Sequence, residues 1–196
     1  MSPRHEAAFS WFEVIVLIAV LAVLATLAMP RITCRPVKGT MTQTLSNMKQ
    51  LHLATHSMEL DGIAERNTNR AWPGDTGGTF TNWTRQLVPA YLETKDFCKL
   101  LSAPGVRVPT SVLPTKMTEG ALCIYAVRGE SSGDVVFLTT ANFTNTPQGG
   151  AALLKSAKPY GDTGFVVFRK GGDGATLQKG QAGHTNLIGT YAPLLE

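Results

Sequence analysis

His52 and His56 stand four residues apart in a stretch with helical periodicity, a spacing that puts both imidazoles on one face. Two such nitrogens could seat a divalent metal if a third ligand joined them. No third ligand is evident, so both read as half-exposed helix residues. The three cysteines, Cys34, Cys98 and Cys123, form no CxxC pair and no Cys/His cluster with zinc spacing. Gly171-Gly172-Asp173-Gly174 has the glycines of a phosphate loop, but it lacks the GK[ST] ending and the strand-to-helix context, so it reads as a turn. His184 has no serine or cysteine elbow in a recognisable motif, and no paired carboxylates stand out for acid–base work. Catalysis is unsupported, and no cofactor or metal is expected. The residue that asks for an explanation is Glu13, a carboxylate at the edge of a long apolar run.

That run dominates an otherwise ordinary composition of 43% hydrophobic and 16% charged residues. From Val14 to Met29 there is no charged residue, and Thr26 carries the only hydroxyl. Counted from Phe9, about 21 largely apolar residues precede Pro30, enough for a helix to cross a ~30 Å hydrocarbon layer. Such a run is too long for the h-region of a cleaved secretory signal, and it lacks a clear basic leader. A plain anchor fits the length but leaves Glu13 unexplained, since a carboxylate at the edge of a lipid-embedded helix marks a functional position. A segment that is first an anchor and later a packing helix explains both, with Glu13 meeting a cation on another chain. The net charge of +4 is dispersed and has no basic cluster with interleaved aromatics, so nucleic-acid binding has no support.

Phe9-Ser10-Trp11-Phe12-Glu13, the apolar run and Pro30 seventeen residues after Glu13 together resemble the N-terminus of type IV pilins and type II secretion pseudopilins. In that family a short polar leader precedes a cleavage point before Phe, and Glu is the fifth residue of the mature chain. The resemblance implies cleavage by a prepilin peptidase between Ala8 and Phe9, N-methylation of the new Phe9 amine, and pairing of Glu13 with such an amine on a neighbouring subunit. Ala8 stands where the family usually has Gly. Lys and Arg are denser after the run (Arg31, Arg35, Lys38) than before it (Arg4), which opposes a cytoplasmic N-terminus. The implied partners are identical or related pilin subunits, the peptidase, an inner-membrane assembly platform and the membrane itself. The implied location is the bacterial inner membrane, single pass with the C-terminal domain in the periplasm, and an extracellular or periplasmic filament after assembly. Two other readings stay open: a minor pilin-like binding or adhesion subunit, and a lone membrane-anchored periplasmic domain. Trp72-Pro73 is similar to the Tyr-Pro of a type II pseudopilin. Gly-x-Asp-Gly around Asp173 resembles a pseudopilin segment near bound calcium, which makes Asp173 and Asp162 weak calcium candidates although the rest of that acidic loop is missing.

The remaining sequence supplies the elements. Residues 1–8 read as leader, 9–30 as the apolar assembly helix, 31–60 as its continuation and 61–196 as a globular domain. A kink or break is expected between Pro30 and Pro36. Met41, Leu45, Met48, Leu51 and Met58 recur at spacings of three, four and seven, an apolar stripe to bury against the body. Residues 61–78 read as the loop from helix to sheet, residues 81–91 as a short helix with Trp83, Leu87 and Val88 inward, and residues 92–101 as a turn or two around Cys98. Strands are expected at 121–127, 134–140, 164–170 and 175–178, the last two joined by the glycine turn. If the body is exported to an oxidising compartment, Cys98 and Cys123 pair and close a loop of about 25 residues; otherwise they are small buried thiols. The expected fold is α+β: a long N-terminal helix, transmembrane in its first half, packed on a small antiparallel sheet.

Overall fold

The computed structural model of the protein describes residues 11–28, 35–146 and 150–196. Two compact units divide the chain, residues 1–38 and residues 39–196. Within the first, α1 (Trp11–Ala28) is an 18-residue helix with Glu13 in its first turn. At 1.5 Å per residue it is about 27 Å long, short of a ~30 Å hydrocarbon core. Among the described residues no helix is long and apolar enough to cross a membrane. The expected transmembrane first half, and with it the single-pass inner-membrane placement, is therefore corrected. What is observed is a separate apolar helix, α1, followed by a second helix, α2 (Arg35–Glu65), of 31 residues. Ala8, Phe9, Pro30 and the expected break between the helices lie outside the described residues.

Helix α2 starts with Pro36 in its first turn, where a missing N–H leaves no intrahelical bond unmade. Its apolar stripe is buried as the spacing requires: Met48, Leu51 and Met58 are fully enclosed, and Met41 is nearly so. The helix continues past the expected boundary at Asp61 to Glu65. Gly62 is buried there against the Arg70 backbone, and its carbonyl accepts from Asn67 N at 2.8 Å. A glycine that reads as a breaker is thus a close-packing position.

The antiparallel sheet comprises β1 (Leu122–Ile124), β2 (Val136–Thr140), β5 (Gly164–Arg169) and β6 (Gly174–Gln178), in the order β1-β2-β5-β6. Central strands β2 and β5 are buried nearly throughout, which explains their continuous rather than alternating apolar runs. Helix α2 covers one face. A side chain at Gly164 would meet Met41 Cε at 2.6 Å, and one at Gly174 would meet Leu45 Cδ1 at 2.5 Å, so these two glycines let the helix lie close to the strands. Between β2 and β5 the chain inserts a hairpin the sequence reading did not find, β3 (Phe143–Thr146) and β4 (Gly150–Leu153). Phe143 stacks on Phe165 of the sheet with ring centroids 4.1 Å apart.

The second flank is helical. Helix α3 (Phe80–Leu87) is capped by Thr79, whose hydroxyl accepts from Asn82 N, and it sets Phe80 and Trp83 against Phe97 of α4 (Thr94–Leu100). After β6 a short helix α5 (Thr185–Ile188) turns the chain back along the β1 edge. There Leu195 N donates to Ile124 O at 3.0 Å and Ala126 N to Pro193 O at 2.7 Å, so the C-terminal segment covers backbone that would otherwise be an open sheet edge.

Gly62 and Gly39 provide a paired test of this packing. A Cβ at Gly62 would overlap the Arg70 carbonyl oxygen, whereas one at Gly39 meets nothing within 4 Å. Gly39→Ala is expected to raise stability by about 0.5–1 kcal/mol through helix propensity. Gly62→Ala should instead lower it by about 1–3 kcal/mol. Urea unfolding of both variants reads the difference in sign.

Candidate functional site

Two features distinguish the molecule. The first is α1, whose described side chains from Trp11 to Leu24 are all exposed. Trp11 is 79% and Phe12 71% accessible, and the aliphatic residues of the helix lie between 39% at Val14 and 60% at Ile18. From Val14 to Leu24 the helix carries no polar side chain, and every one of these side chains is exposed.

The second feature is the seam between α2 and the sheet, centred on His52. This residue is only 7% exposed, against the half-exposed placement its spacing suggested. Its ring lies between Trp72, Phe137 and Phe168, at centroid distances of 5.6, 6.2 and 5.3 Å. Its Nε2 lies 2.6 Å from the Lys170 carbonyl oxygen. Since a carbonyl only accepts, Nε2 carries the hydrogen and Nδ1 the lone pair. Burial lowers the pKa of this imidazole from its ordinary value, outweighing the backbone hydrogen bond that favours the charged form. His56 stacks on it at 6.1 Å but is committed elsewhere, its Nδ1 lying 3.1 Å from Glu59 Oε2. The two histidines therefore do not converge on a metal position, and no group of three His, Cys, Asp or Glu that could hold one occurs among the described residues.

Lys170 ends the apolar strand β5 and braces the same seam. Its ammonium donates to the carbonyls of Gly129 and Ser131, the latter at 2.7 Å, and sits 5.7 Å over the Trp72 ring. Asp75 holds the loop between β1 and β2 from the other side, accepting from Gly129 N at 2.7 Å. Sequence reasoning missed this clamp. The available signal was the Arg169-Lys170 pair closing an otherwise apolar strand, next to a glycine turn.

The other sequence candidates fall into structural roles. Asp162 accepts from Lys179 at 3.0 Å, and this partner holds its carboxyl below the usual range. Asp173 is ion-paired with Arg169 in the β5–β6 turn. Each carboxylate is engaged by a cation. Pro73 follows Trp72 in the turn after α2, and Trp72 is a core residue of the seam. An open groove of about 700 Å³ is lined by Arg128, Ser131, Tyr191 and Glu196 among others.

Cys98 and Cys123 are free thiols, so the loop closure considered from the sequence is not made. Cys98 lies on the inner side of α4, with its Sγ 3.6 Å from the Val112 carbonyl. Cys123 pairs with Thr139 across the β1–β2 ladder, and burial pushes its pKa up to about 11. At pH 7.5 iodoacetamide should modify Cys123 on the order of 100-fold more slowly in the folded protein than in denaturant. Non-reducing peptide mapping should find both cysteines unlinked. No protein-family profile, curated protein or solved structure matches this chain.

Proposed function

We propose that this chain is a structural subunit of a pilin-like filament in which α1 is buried among the equivalent helices of neighbouring copies. The observation that carries the reading is the exposure of α1 on every side. Eight aliphatic residues between Ile15 and Leu24 are each about half accessible. Full burial of such a side chain contributes about 1.5–3 kcal/mol, so completing the burial of all eight is worth on the order of 10 kcal/mol. Association itself costs roughly 4–15 kcal/mol. A single neighbour, covering one side, leaves the balance near zero, whereas several neighbours surrounding the helix tip it toward assembly. A ring or helical array of copies supplies that geometry. The N-terminal resemblance to pilins supports the same reading and adds maturation at Ala8-Phe9 and a role for Glu13 in subunit pairing. The body contributes a seam, two sheets and edge-covering segments, consistent with a display module carried by the assembled helix.

The test uses cysteines at Val16 and Val23 in a Cys34→Ser background. Adjacent copies should cross-link through both positions in assembled material. Leu21→Ile should assemble normally. Leu21→Lys buries an unpaired ammonium, at a cost of about 3–5 kcal/mol, and should weaken assembly by roughly 100-fold or more while the melting of the body is unchanged. Cross-link failure at both sites, with Leu21→Lys assembling like the parent, would overturn the proposal.

A further inference from the structure

We propose that His52 is a pH-sensitive latch, holding α2 against the β5–β6 hairpin when neutral and releasing it when protonated. The inference is independent of filament assembly, since every group involved lies within residues 39–196. The latch has two contacts with the hairpin. Nε2–H donates to the Lys170 carbonyl at 2.6 Å. The ring edge also lies where a Cβ on Gly172 would meet Cε1 at 3.5 Å, so the imidazole sits on the turn itself. Gly172 has φ +90°, so the turn adopts a conformation that a bulkier residue resists. A neutral ring fits this slot because three of its neighbours are the apolar rings of Trp72, Phe137 and Phe168.

A second proton, taken from solvent at Nδ1, makes the ring a cation in that same slot. The charged groups around it do not compensate. From α2, His56 is a second base stacked on the ring, and Glu59, the nearby carboxylate, is already bonded to His56 at 3.1 Å. Just after β5, Lys170 brings another cation, held over Trp72. In the β5–β6 turn Asp173 is paired with Arg169. In the segment after α2, Asp75 accepts from Gly129 N. In the β1–β2 loop Arg128 and Glu130 lie 3.8 Å apart on the surface. A proton on His52 therefore adds positive charge to a seam that already holds the Lys170 ammonium.

The direction follows from linkage. A histidine whose folded pKa lies below its unfolded value of about 6.5 stabilises the folded state fully above that pH. The contribution is lost as pH falls from there toward the folded pKa. Because the imidazole bridges α2 and the hairpin, the loss appears locally, at residues 45–58 and 168–176, before the body as a whole unfolds.

The experiment is amide hydrogen exchange of the full chain in mild detergent at pH 7.5, 6.5 and 5.5, corrected for intrinsic rates, together with NMR titration of the His52 ring. Protection of 45–58 and 168–176 should fall by about tenfold or more between pH 7.5 and 5.5. The fall should be absent in His52→Gln, whose amide donates but does not take a proton, and retained in His56→Gln. The His52 ring should titrate below 6.5. Should His52→Gln not fold, the parent's ring titration and the pH-dependence of its two segments decide alone. A drop that persists in His52→Gln, no drop in the parent, or a ring titrating at 6.5 or above would overturn the proposal.

Discussion

The seam between α2 and the sheet is the constraint on which the globular body depends. A 31-residue helix has one stripe to bury, and here that stripe is met by the faces of two central strands rather than by another helix. Gly164 and Gly174 remove side chains where the helix comes closest, and Phe137 and Phe168 fill the space where it stands further off. The remaining connections are arranged around this contact. The Tyr160 hydroxyl donates to the Thr40 carbonyl at 2.9 Å and lies 2.7 Å from Thr44 Oγ1, which ties the segment before β5 to the start of the helix. Asn142 donates to the Gly161 and Gly164 carbonyls, both at 2.8 Å, which anchors the β3–β4 insertion to the same strand.

The two N-terminal helices differ in a way that separates folding from assembly. Helix α2 buries one apolar stripe and exposes mostly polar residues elsewhere, with Leu53, Leu60 and Ile63 as exceptions, the pattern of a helix that finds its partner within its own chain. Helix α1 has no such division: from Val14 to Leu24 its side chains are aliphatic in all directions. A stripe of the α2 kind can be buried by one surface, whereas a helix apolar in every direction can be buried only by surroundings on all sides. The chemistry of the chain follows this division. Engaged carboxylates, buried thiols and a clamped loop belong to the body, while α1 presents exposed aliphatic surface.

Much of the body was legible in the sequence because its signals were local. The α2 stripe, the inward Trp83 and Leu87, the β1–β2 pairing and the glycine turn before β6 were read from spacing and turn chemistry, with β1 shorter than expected. The misses were non-local. Helix α2 outruns Asp61 because Gly62 meets the backbone of Arg70, a contact invisible to propensity. The β3–β4 hairpin and the C-terminal return depend on Phe143 meeting Phe165 and on Leu195 meeting Ile124, pairings far apart in sequence. The apolar run was counted as a membrane span by length, and the described helix is shorter than that count. For Cys98 and Cys123 the sequence leaves a disulfide and separate buried thiols both open, and the structure gives each thiol its own surroundings.

The polar groups within the seam explain why one residue can make it sensitive to acid. Thr44 and Thr55 are buried on the same helix face, yet neither titrates: Thr55 Oγ1 donates to the Leu51 carbonyl at 2.9 Å, and Thr44 meets Tyr160. Thr139 and Thr140 are likewise enclosed in the sheet, with Thr140 Oγ1 accepting from Val166 N at 3.2 Å. Such hydroxyls keep the same charge at any physiological pH, so their hydrogen bonds are indifferent to it. Lys170 and Asp75 hold backbone groups rather than each other. His52 is the buried member of the set whose charge changes between pH 5 and 8. A seam otherwise made of aliphatic, aromatic and hydroxyl groups therefore takes its pH dependence from the imidazole that joins the helix to the hairpin turn.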